Sequence, residues 1–332
     1  MNIALAGNLK KKDTTKPEDY FSEFDSSETI DAIMNALRNK GHNVEFVDVE
    51  YPHLFSYFRK NRVDMVFNIA EGSYGKFRES EVPAVLDYLK IPYTGSNTFS
   101  LALALNKYLT KKILKAEQIP TPHFQLFVKG SEELDFNLKF PLIVKPNREG
   151  SAKGINRTNV VFNKEELYNK VRDIINNYRQ EALVEEFIEG KELTIGILEN
   201  GKTTILPILE IDFTDCKNSG EFFYSWRMKE FQGNKELGLV PKFYCPARLD
   251  KETERMVKET ALKTHHAVGC LDISRTDIRL STDNIPYVLE INPLPGLNPK
   301  ESNFPIMAYA AGMSYDDIID SVLMSAHKRM KG

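Results

Sequence analysis

Residues 141–154 read PLIVKPNREGSAKG, and this stretch contributes most to the prediction of the fold. It begins as an apolar strand that ends at Lys145, and small residues follow at positions 150, 151, 152 and 154. Such a loop lets backbone N–H groups approach a polyphosphate while the lysine neutralises its charge. It is not a Walker loop, because the G-x-x-x-x-G-K-[ST] pattern is absent. A tight β-hairpin with solvated charges is the alternative interpretation of this segment alone.

A second group of polar residues lies in the last quarter of the chain. Glu290 and Asn292 are two apart on a predicted strand and project from one face, and Asp277 lies on a neighbouring predicted strand. Carboxylate and amide oxygens suit Mg²⁺ that is held partly by nucleotide phosphates. Arg275 is placed as an anion clamp on the same face, and the turn after Asn292 presents the Gly296 N–H to a developing oxyanion. A surface salt-bridge cluster is the alternative.

Two further segments have sequences that are typical of ligand-binding parts of a protein. The stretch VEEFIEGKE at 184–192 is a strand that ends in a polar turn, which can offer backbone groups to an adenine and a carboxylate to a ribose. Taken alone it is a weak signal, because acid-rich strand ends are common. Residues 222–243 lose periodicity and contain Tyr224, Trp226 and Lys229, which favours a functional lid over a disordered insert.

Composition limits the classes of function. The 332 residues are 42% hydrophobic and 27% charged, which predicts a globular chain of two or three packed units. A net charge of −3 gives no bulk basicity, so nucleic acid is not an expected partner. No window approaches the roughly 18 apolar residues of a membrane span, and the three scattered cysteines indicate reduced thiols. We therefore expect a cytoplasmic protein without a membrane partner.

The predicted elements alternate at first and then change character. Strands at 2–6, 44–49 and 64–69 with helix 29–40 predict a parallel sheet, whose ligands lie beyond the strand ends, near loop 70–75. The remaining predicted helices are 81–89, 98–117, 164–178 and 251–268; the remaining predicted strands are 124–128, 141–144, 160–162, 182–187, 193–198, 204–209, 277–280 and 287–292. We interpret His265 and His266 as a solvated helix face and not as a metal site.

In this order the motifs resemble those of the ATP-grasp superfamily and, within it, the D-alanine–D-alanine ligase group. The resemblance rests on IPYTGS at 91–96, ALALNKYLTKKIL at 102–114, PLIVKPNREGSAKGI at 141–155, LVEEFIEGKE at 183–192, RTD at 275–277 and LEINPLPGLNP at 289–299. It implies an α/β (α+β) ATP-grasp fold of three subdomains. These are a Rossmann-like parallel sheet in residues 1–96, a small central α+β domain in 97–189 and a catalytic antiparallel-sheet domain in 190–332.

The resemblance also implies roles for particular residues. For ATP these are Lys107 and Lys145 on the α- and β-phosphates, Ser151 in the covering loop, Glu185, Phe187 and Ile188 at the adenine, Glu192 at the ribose and Leu289 beneath the base. For the chemistry these are Asp277, Glu290 and Asn292 on two Mg²⁺ ions, with Mn²⁺ as a substitute, Arg275 and the Gly296 N–H on the acyl phosphate and the tetrahedral adduct, and Lys229 on the γ-phosphate.

The chain departs from the group on the amino-acid side. The glycine-rich first turn is replaced by Gly7-Asn8-Leu9-Lys10, with Glu23 or Asp25 as the acid that could take its role. Glu230 stands at the position of the lid tyrosine, and Glu301, with Ser302 beside it, at the position of a substrate-binding serine. Positions on the ATP side are kept, so the resemblance leaves the amino acid open.

The implied activity is an ADP-forming carboxylate–amine ligase that acts on a small carboxylate and a small amine through an acyl phosphate, in a homodimer. Three alternatives stay open. One is a nucleotide-binding protein without ligase activity, another is an ATP-grasp kinase, and the third is a ligase for a non-amino-acid acid in a specialised pathway.

Overall fold

The computed structural model describes residues 1–11, 13–50, 54–199 and 201–330. Its first sheet contains three parallel strands in the order β2-β1-β3, as the alternating pattern predicted. These are β1 (Asn2–Gly7), β2 (Asn43–Asp48) and β3 (Met65–Asn68), with helices α1 (Ser27–Asn39), α2 (Leu54–Lys60) and α3 (Glu81–Leu89) between and after them. Ser26 caps α1, since its hydroxyl accepts from the Thr29 N–H.

The helix predicted over residues 98–117 is wrong as a single element. The chain forms α4 (Thr98–Leu105) and α5 (Lys107–Ala116), and Asn106 between them has φ −89° and ψ 89°, outside the helical region. The Asn106 side chain accepts from the Leu109 N–H and so caps α5. This break places Lys107 in the first turn of a new helix.

The second sheet is antiparallel, in the order β4-β7-β5-β6. Its strands are β4 (Phe124–Phe127), β5 (Leu142–Pro146), β6 (Val160–Val161) and β7 (Ala182–Glu186), with α6 (Lys164–Tyr178) beside them. Leu167, Val171 and Ile174 recur at helical spacing and bury one face of α6 in the core of this sheet.

The third sheet is also antiparallel, in the order β11-β10-β8-β12-β13, with β9 paired to β8. It contains β8 (Gly190–Glu199), β9 (Thr203–Ile205), β10 (Leu209–Asp212), β11 (Lys242–Tyr244), β12 (Ile273–Ser281) and β13 (Pro286–Asn292), and the helices around it are α7 (Trp226–Glu230), α8 (Lys251–Val268), α9 (Asn303–Ala310) and α10 (Tyr315–Arg329). The single strand predicted over 204–209 is wrong, because β9 and β10 are separate strands pairing with different parts of β8.

The prediction of a solvated histidine pair holds only for His266. His265 is 0% exposed, and its Nδ1 lies 2.7 Å from the Ser274 hydroxyl on β12. The spacing of Thr264, His265 and Val268 brings these residues to the face of α8 that packs on the sheet.

The largest apolar core joins the first and third sheets. Helix α10 packs against α1, and Phe304 of α9 and Leu323 of α10 lie in one cluster with Leu5 and Phe67 of the first sheet. One sheet falls in each of the three predicted segments, and the boundaries at 96 and 189 stay a prediction. Within the described residues, no helix combines the length and apolar character needed to cross a membrane.

Asn147 joins the end of β5 to the start of α5 and is 0% exposed. Its carbonyl accepts from the Lys107 N–H at 3.1 Å, its Oδ1 accepts from the Tyr108 N–H at 2.9 Å, and its Nδ2 donates to Asn106 at 3.0 Å. The two predicted phosphate lysines, Lys107 and Lys145, are therefore held on adjoining elements.

We predict that Asn147→Ala lowers the free energy of unfolding by about 1–3 kcal/mol, because it leaves buried polar partners unpaired. Urea unfolding measures this loss. The matched change Asn176→Ala, on the exposed face of α6, should stay within about 0.5 kcal/mol of the unaltered chain. Equal effects of the two changes would contradict the linking role of Asn147.

Candidate active site

A cavity of about 420 Å³ is lined by residues from all three sheets. The predicted site residues that line it are Lys145, Ser151, Glu185, Phe187, Ile188, Glu192, Lys229, Arg275, Asp277, Leu289, Glu290, Asn292 and Gly296. Lys107 does not line the cavity but contacts it through Glu290, whose Oε2 lies 2.7 Å from the Lys107 Nζ. The fold thus brings together residues that are far apart in the sequence.

The pairing of β12 with β13 builds the predicted metal set. Asp277 lies opposite Glu290, and Arg275 lies opposite Asn292. The Arg275 guanidinium donates twice to Asp277, at 3.0 and 2.7 Å, and the Thr194 hydroxyl donates to the same carboxylate at 2.6 Å. Two carboxylates and an amide on neighbouring strands form a hard oxygen donor set, which fits Mg²⁺.

Lys107 determines the ionisation of Glu290. Burial alone would raise the pKa of Glu290, but Lys107, with Arg275 and Lys145 nearby, lowers it to about 2. The carboxylate is therefore charged, and its charge is balanced by a neighbouring ammonium.

A buried ion-pair network lies under the predicted adenine hinge. Glu185 is 0% exposed, and its Oε2 lies 3.2 Å from the Lys111 Nζ and 3.4 Å from the Lys145 Nζ. Burial would raise the pKa of Glu185, but the two ammonium groups lower it below its ordinary value. Burial lowers the pKa of Lys111 to about 8 in spite of the carboxylate beside it. Glu185 therefore positions Lys145 as well as lining the cavity.

Aromatic and aliphatic side chains surround the predicted base site. The Phe187 ring packs edge-on against Phe222 and Phe223, at centroid distances of 5.5 and 6.2 Å. Ile188 and Leu289 also line the cavity. Glu192, predicted for the ribose, forms an ion pair with Arg279 at 3.0 Å, and its carboxylate accepts from the Tyr224 N–H at 3.2 Å.

The predicted lid contains a short helix, α7, within its irregular chain. Lys229 on α7 donates to the Ser151 hydroxyl at 3.1 Å, and the backbone N–H of Trp226 donates to the Ile155 carbonyl at 3.0 Å. Ser151 and Ala152 have φ of 51° and 55°, so the loop makes a left-handed turn beneath the lid. The lid and the small-residue loop are in direct contact in this structure.

Gly296 lies against Ser302, and a Cβ at this glycine would come within 2.9 Å of the Ser302 hydroxyl oxygen. A larger side chain at 296 would therefore displace Ser302. Glu301 and Ser302 both line the cavity, as does Glu230, which pairs with Lys10 at 3.4 Å.

Sequence reasoning did not identify several residues that the fold places at the site. Lys111 lies one turn after Lys107 on α5, and this i, i+4 spacing was the available signal. Arg279 follows Asp277 by two on β12, which brings both to one face. Thr194 faces Asp277 across the β8–β12 pairing, and no local pattern indicates that contact.

Comparison with known proteins agrees with this architecture. Residues 113–324 match the family model described as D-ala D-ala ligase C-terminus. The D-alanine–D-alanine ligase of Carboxydothermus hydrogenoformans is 36% identical over 308 residues, which cover 90% of this chain and 92% of that protein. Crystal structures of the D-alanine–D-alanine ligase of Bacillus anthracis, one of them complexed with ATP, cover 100% of both chains at 25% identity, with TM-scores of 0.78 and 0.76.

The fold and the cavity define an ATP-grasp enzyme, an ATP-dependent carboxylate–amine ligase. Within this class, the chain belongs to the D-alanine–D-alanine ligase family. The predicted family and fold class are confirmed.

We predict strong coupling between Glu185 and Lys111. Glu185→Gln should lower the free energy of unfolding by about 3–5 kcal/mol, because it leaves two buried ammonium groups without their carboxylate. Lys111→Met should lower it by less, because Glu185 keeps Lys145 as a partner. The double variant should lose less than the sum of the two. Urea unfolding of all four proteins measures this coupling, and strictly additive losses would contradict the pairing.

Proposed function

We propose that this enzyme transfers the γ-phosphoryl group of ATP to the carboxylate of an amino acid or related acid. ADP leaves, and an amine then attacks the acyl phosphate, releasing phosphate and a proton as the amide bond forms. The observation that carries this proposal is the pairing of β12 with β13, which sets Asp277 opposite Glu290 in the cavity, with Arg275 beside them.

Three cations are available for the phosphates. Lys107, Lys145 and Arg275 each pair with a carboxylate, respectively Glu290, Glu185 and Asp277. When ATP binds, these cations can turn toward its phosphate oxygens, and Lys229 reaches the same region from the lid. Asp277, Glu290 and Asn292 would hold Mg²⁺, which would neutralise phosphate charge. We propose that two Mg²⁺ ions bind at these residues and that Mn²⁺ can substitute for them.

The remaining groups act on the reacting carbonyl. Arg275 and the Gly296 N–H are placed to stabilise negative charge on the acyl phosphate and on the tetrahedral adduct. The contact between Lys229 and Ser151 keeps the lid over the loop, which excludes water that would hydrolyse the acyl phosphate.

The identity of the amino acid is a separate question. The named relatives are D-alanine–D-alanine ligases, and D-alanine belongs in any substrate panel. Three oxygen donors beside an arginine favour phosphoryl transfer over nucleotide binding alone. A homodimer is part of the proposal, and sedimentation equilibrium tests it.

Incubation with ATP, Mg²⁺ and a panel of amino acids tests the activity. We expect ADP release that depends on the acid and a product whose mass equals acid plus amine minus water. ADP release without a condensed product, with the acid recovered in phosphorylated form, would favour a kinase instead. Nucleotide binding with no turnover for any acid would favour the non-catalytic alternative.

We predict that Arg275→Met lowers kcat by about 10²–10³-fold, because a charge stabiliser at the reacting centre is lost. Steady-state ADP release measures the change. Arg255→Met, on the exposed face of α8, is the matched control and should keep kcat unchanged. A fall in kcat of less than threefold for Arg275→Met would remove this arginine from the reaction.

A further inference from the structure

A long connection joins the end of β1, at Gly7, to the start of α1, at Ser27. Connections of more than roughly 12–15 residues are uncommon in compact domains and are often functional. We refer to residues 13–25 of this connection as the strap. Its last part, residues 22–25, lines the cavity. The strap therefore forms part of the wall of the site.

The strap packs on itself and is tied at its base. The Phe21 ring lies edge-on to the rings of Tyr20 and Phe24, at centroid distances of 4.8 and 5.5 Å. At the base, the Asp25 N–H donates to the Asn8 carbonyl at 3.0 Å. A loop whose base is tied and whose own side chains pack together keeps a defined shape.

The strap reaches α6, beside the second sheet. The hydroxyl of Tyr178, the last residue of α6, donates to the Asp19 carboxylate at 2.8 Å. Burial, with Asp19 beside it, raises the pKa of Tyr178 above its ordinary value, so the hydroxyl keeps its proton for this bond. The Tyr178 ring lies against the small-residue loop, residues 150–154, because a Cβ at Gly154 would come within 2.7 Å of the ring. Tyr178 thus lies between the strap and the loop.

Two more contacts join the strap to the small-residue loop directly. The Gly150 N–H donates to the Glu23 carboxylate at 2.7 Å. The Lys153 ammonium lies 5.6 Å from the centroid of the Tyr20 ring, within the range of a cation–π contact. The strap therefore contacts the loop at both of its ends.

The middle of the small-residue loop has a backbone conformation that residues other than glycine rarely adopt. Ser151 and Ala152 have φ of 51° and 55°, in the left-handed region. A backbone of this kind is costly and persists only where the surrounding structure fixes it. Both residues line the cavity. The contacts that fix the ends of this loop therefore also fix part of the cavity wall.

We propose that the strap holds the small-residue loop in the conformation that covers the phosphates of ATP, with Asp19 and Tyr178 as positioning residues. The inference rests on the proposed function, which places this loop over the nucleotide. Asp19 fixes the Tyr178 hydroxyl, and the Tyr178 ring supports Gly154. Both positioning residues lie outside the cavity lining, so they act on the loop and not on a bound substrate.

The lid contacts the same loop through Lys229, whose ammonium donates to the Ser151 hydroxyl at 3.1 Å. A loop that the strap already holds gives the lid a fixed surface on which to close. Because the loop is ordered before ATP binds, less ordering free energy is lost on binding. Loss of the strap contacts should therefore weaken nucleotide binding as well as loosen the loop.

Hydrogen exchange in the protein without ligand tests the hold on the loop. The reporters are the Lys153 and Ile155 amides, which donate to carbonyls of the loop at 2.9 Å. Tyr178→Phe removes the hydroxyl and keeps the ring, and it should make the reporters exchange at least threefold faster while the amides of β12 stay unchanged. Asp19→Ala should have the same effect. Asp19→Asn, which keeps an acceptor oxygen, should restore the original rate.

Tyr168→Phe is the matched control. It removes a hydroxyl from the same helix, where Tyr168 donates to the Glu132 carbonyl at 3.0 Å, and it should leave the exchange of the loop unchanged. The double variant Asp19→Ala/Tyr178→Phe should exchange no faster than either single variant, because both changes remove one shared hydrogen bond.

Calorimetry with a non-hydrolysable ATP analogue and Mg²⁺ tests the link to the nucleotide. Tyr178→Phe should bind the analogue at least threefold more weakly, and Tyr168→Phe should bind it as the unaltered enzyme does. Unchanged exchange in Tyr178→Phe, or faster exchange with unchanged affinity, would overturn the inference. If Tyr178→Phe does not fold, Asp19→Ala decides the same question.

Neither measurement requires turnover, which separates this inference from the ligase proposal. If exchange and affinity change as expected in an enzyme that releases no ADP with any acid, the role of the strap stands and the ligase function alone is removed.

Discussion

The register between β12 and β13 is the constraint on which the site depends. It sets Asp277 opposite Glu290 and Arg275 opposite Asn292, so that two carboxylates, an amide and a guanidinium lie together on a single strand pair. Strand β8 pairs with the other side of β12, and its Thr194 hydroxyl donates a hydrogen bond to the Asp277 carboxylate. A shift of one residue would turn these side chains to the opposite face of the sheet.

Charge balance in the cavity follows from this register. A buried charge without a partner is costly, and the fold avoids that cost by setting three of the predicted phosphate-binding cations beside carboxylates. Lys107 pairs with Glu290, Lys145 with Glu185 and Arg275 with Asp277. When a nucleotide and its metal ion bind, the phosphates can pair with the two lysines and the arginine, and the metal ion can pair with carboxylates, in place of these ion pairs.

Local pattern was sufficient for much of the fold. The helices at 81–89, 164–178 and 251–268 match their predicted bounds, because apolar periodicity and flanking residues such as the Asn163 and Asp250 caps are readable from neighbours in sequence. The break at Asn106 could not be predicted in this way, because Asn147, which follows β5, holds that residue. The burial of His265 likewise depends on Ser274 of β12.

The site shows the same division. Lys145, Glu290 and Asn292 lie in compact motifs, so their convergence was predictable. The Arg78–Glu23 pair joins residues 55 positions apart, and the Lys111–Glu185 pair joins two different elements. Neither pair can be predicted from the spacing of neighbouring residues. Lys145, Glu185 and Glu192, which we propose for the nucleotide, lie on strands with recognisable patterns. Glu23 and Asp25 lie on irregular chain before α1, where the pattern is weak.

The affinity for ATP, measured by calorimetry with and without Mg²⁺, tests most directly whether Asp277 and Glu290 form a metal site for the nucleotide. We predict at least tenfold tighter binding with Mg²⁺, because without it the two carboxylates repel the phosphates. Equal affinity in the presence and absence of Mg²⁺ would contradict that assignment.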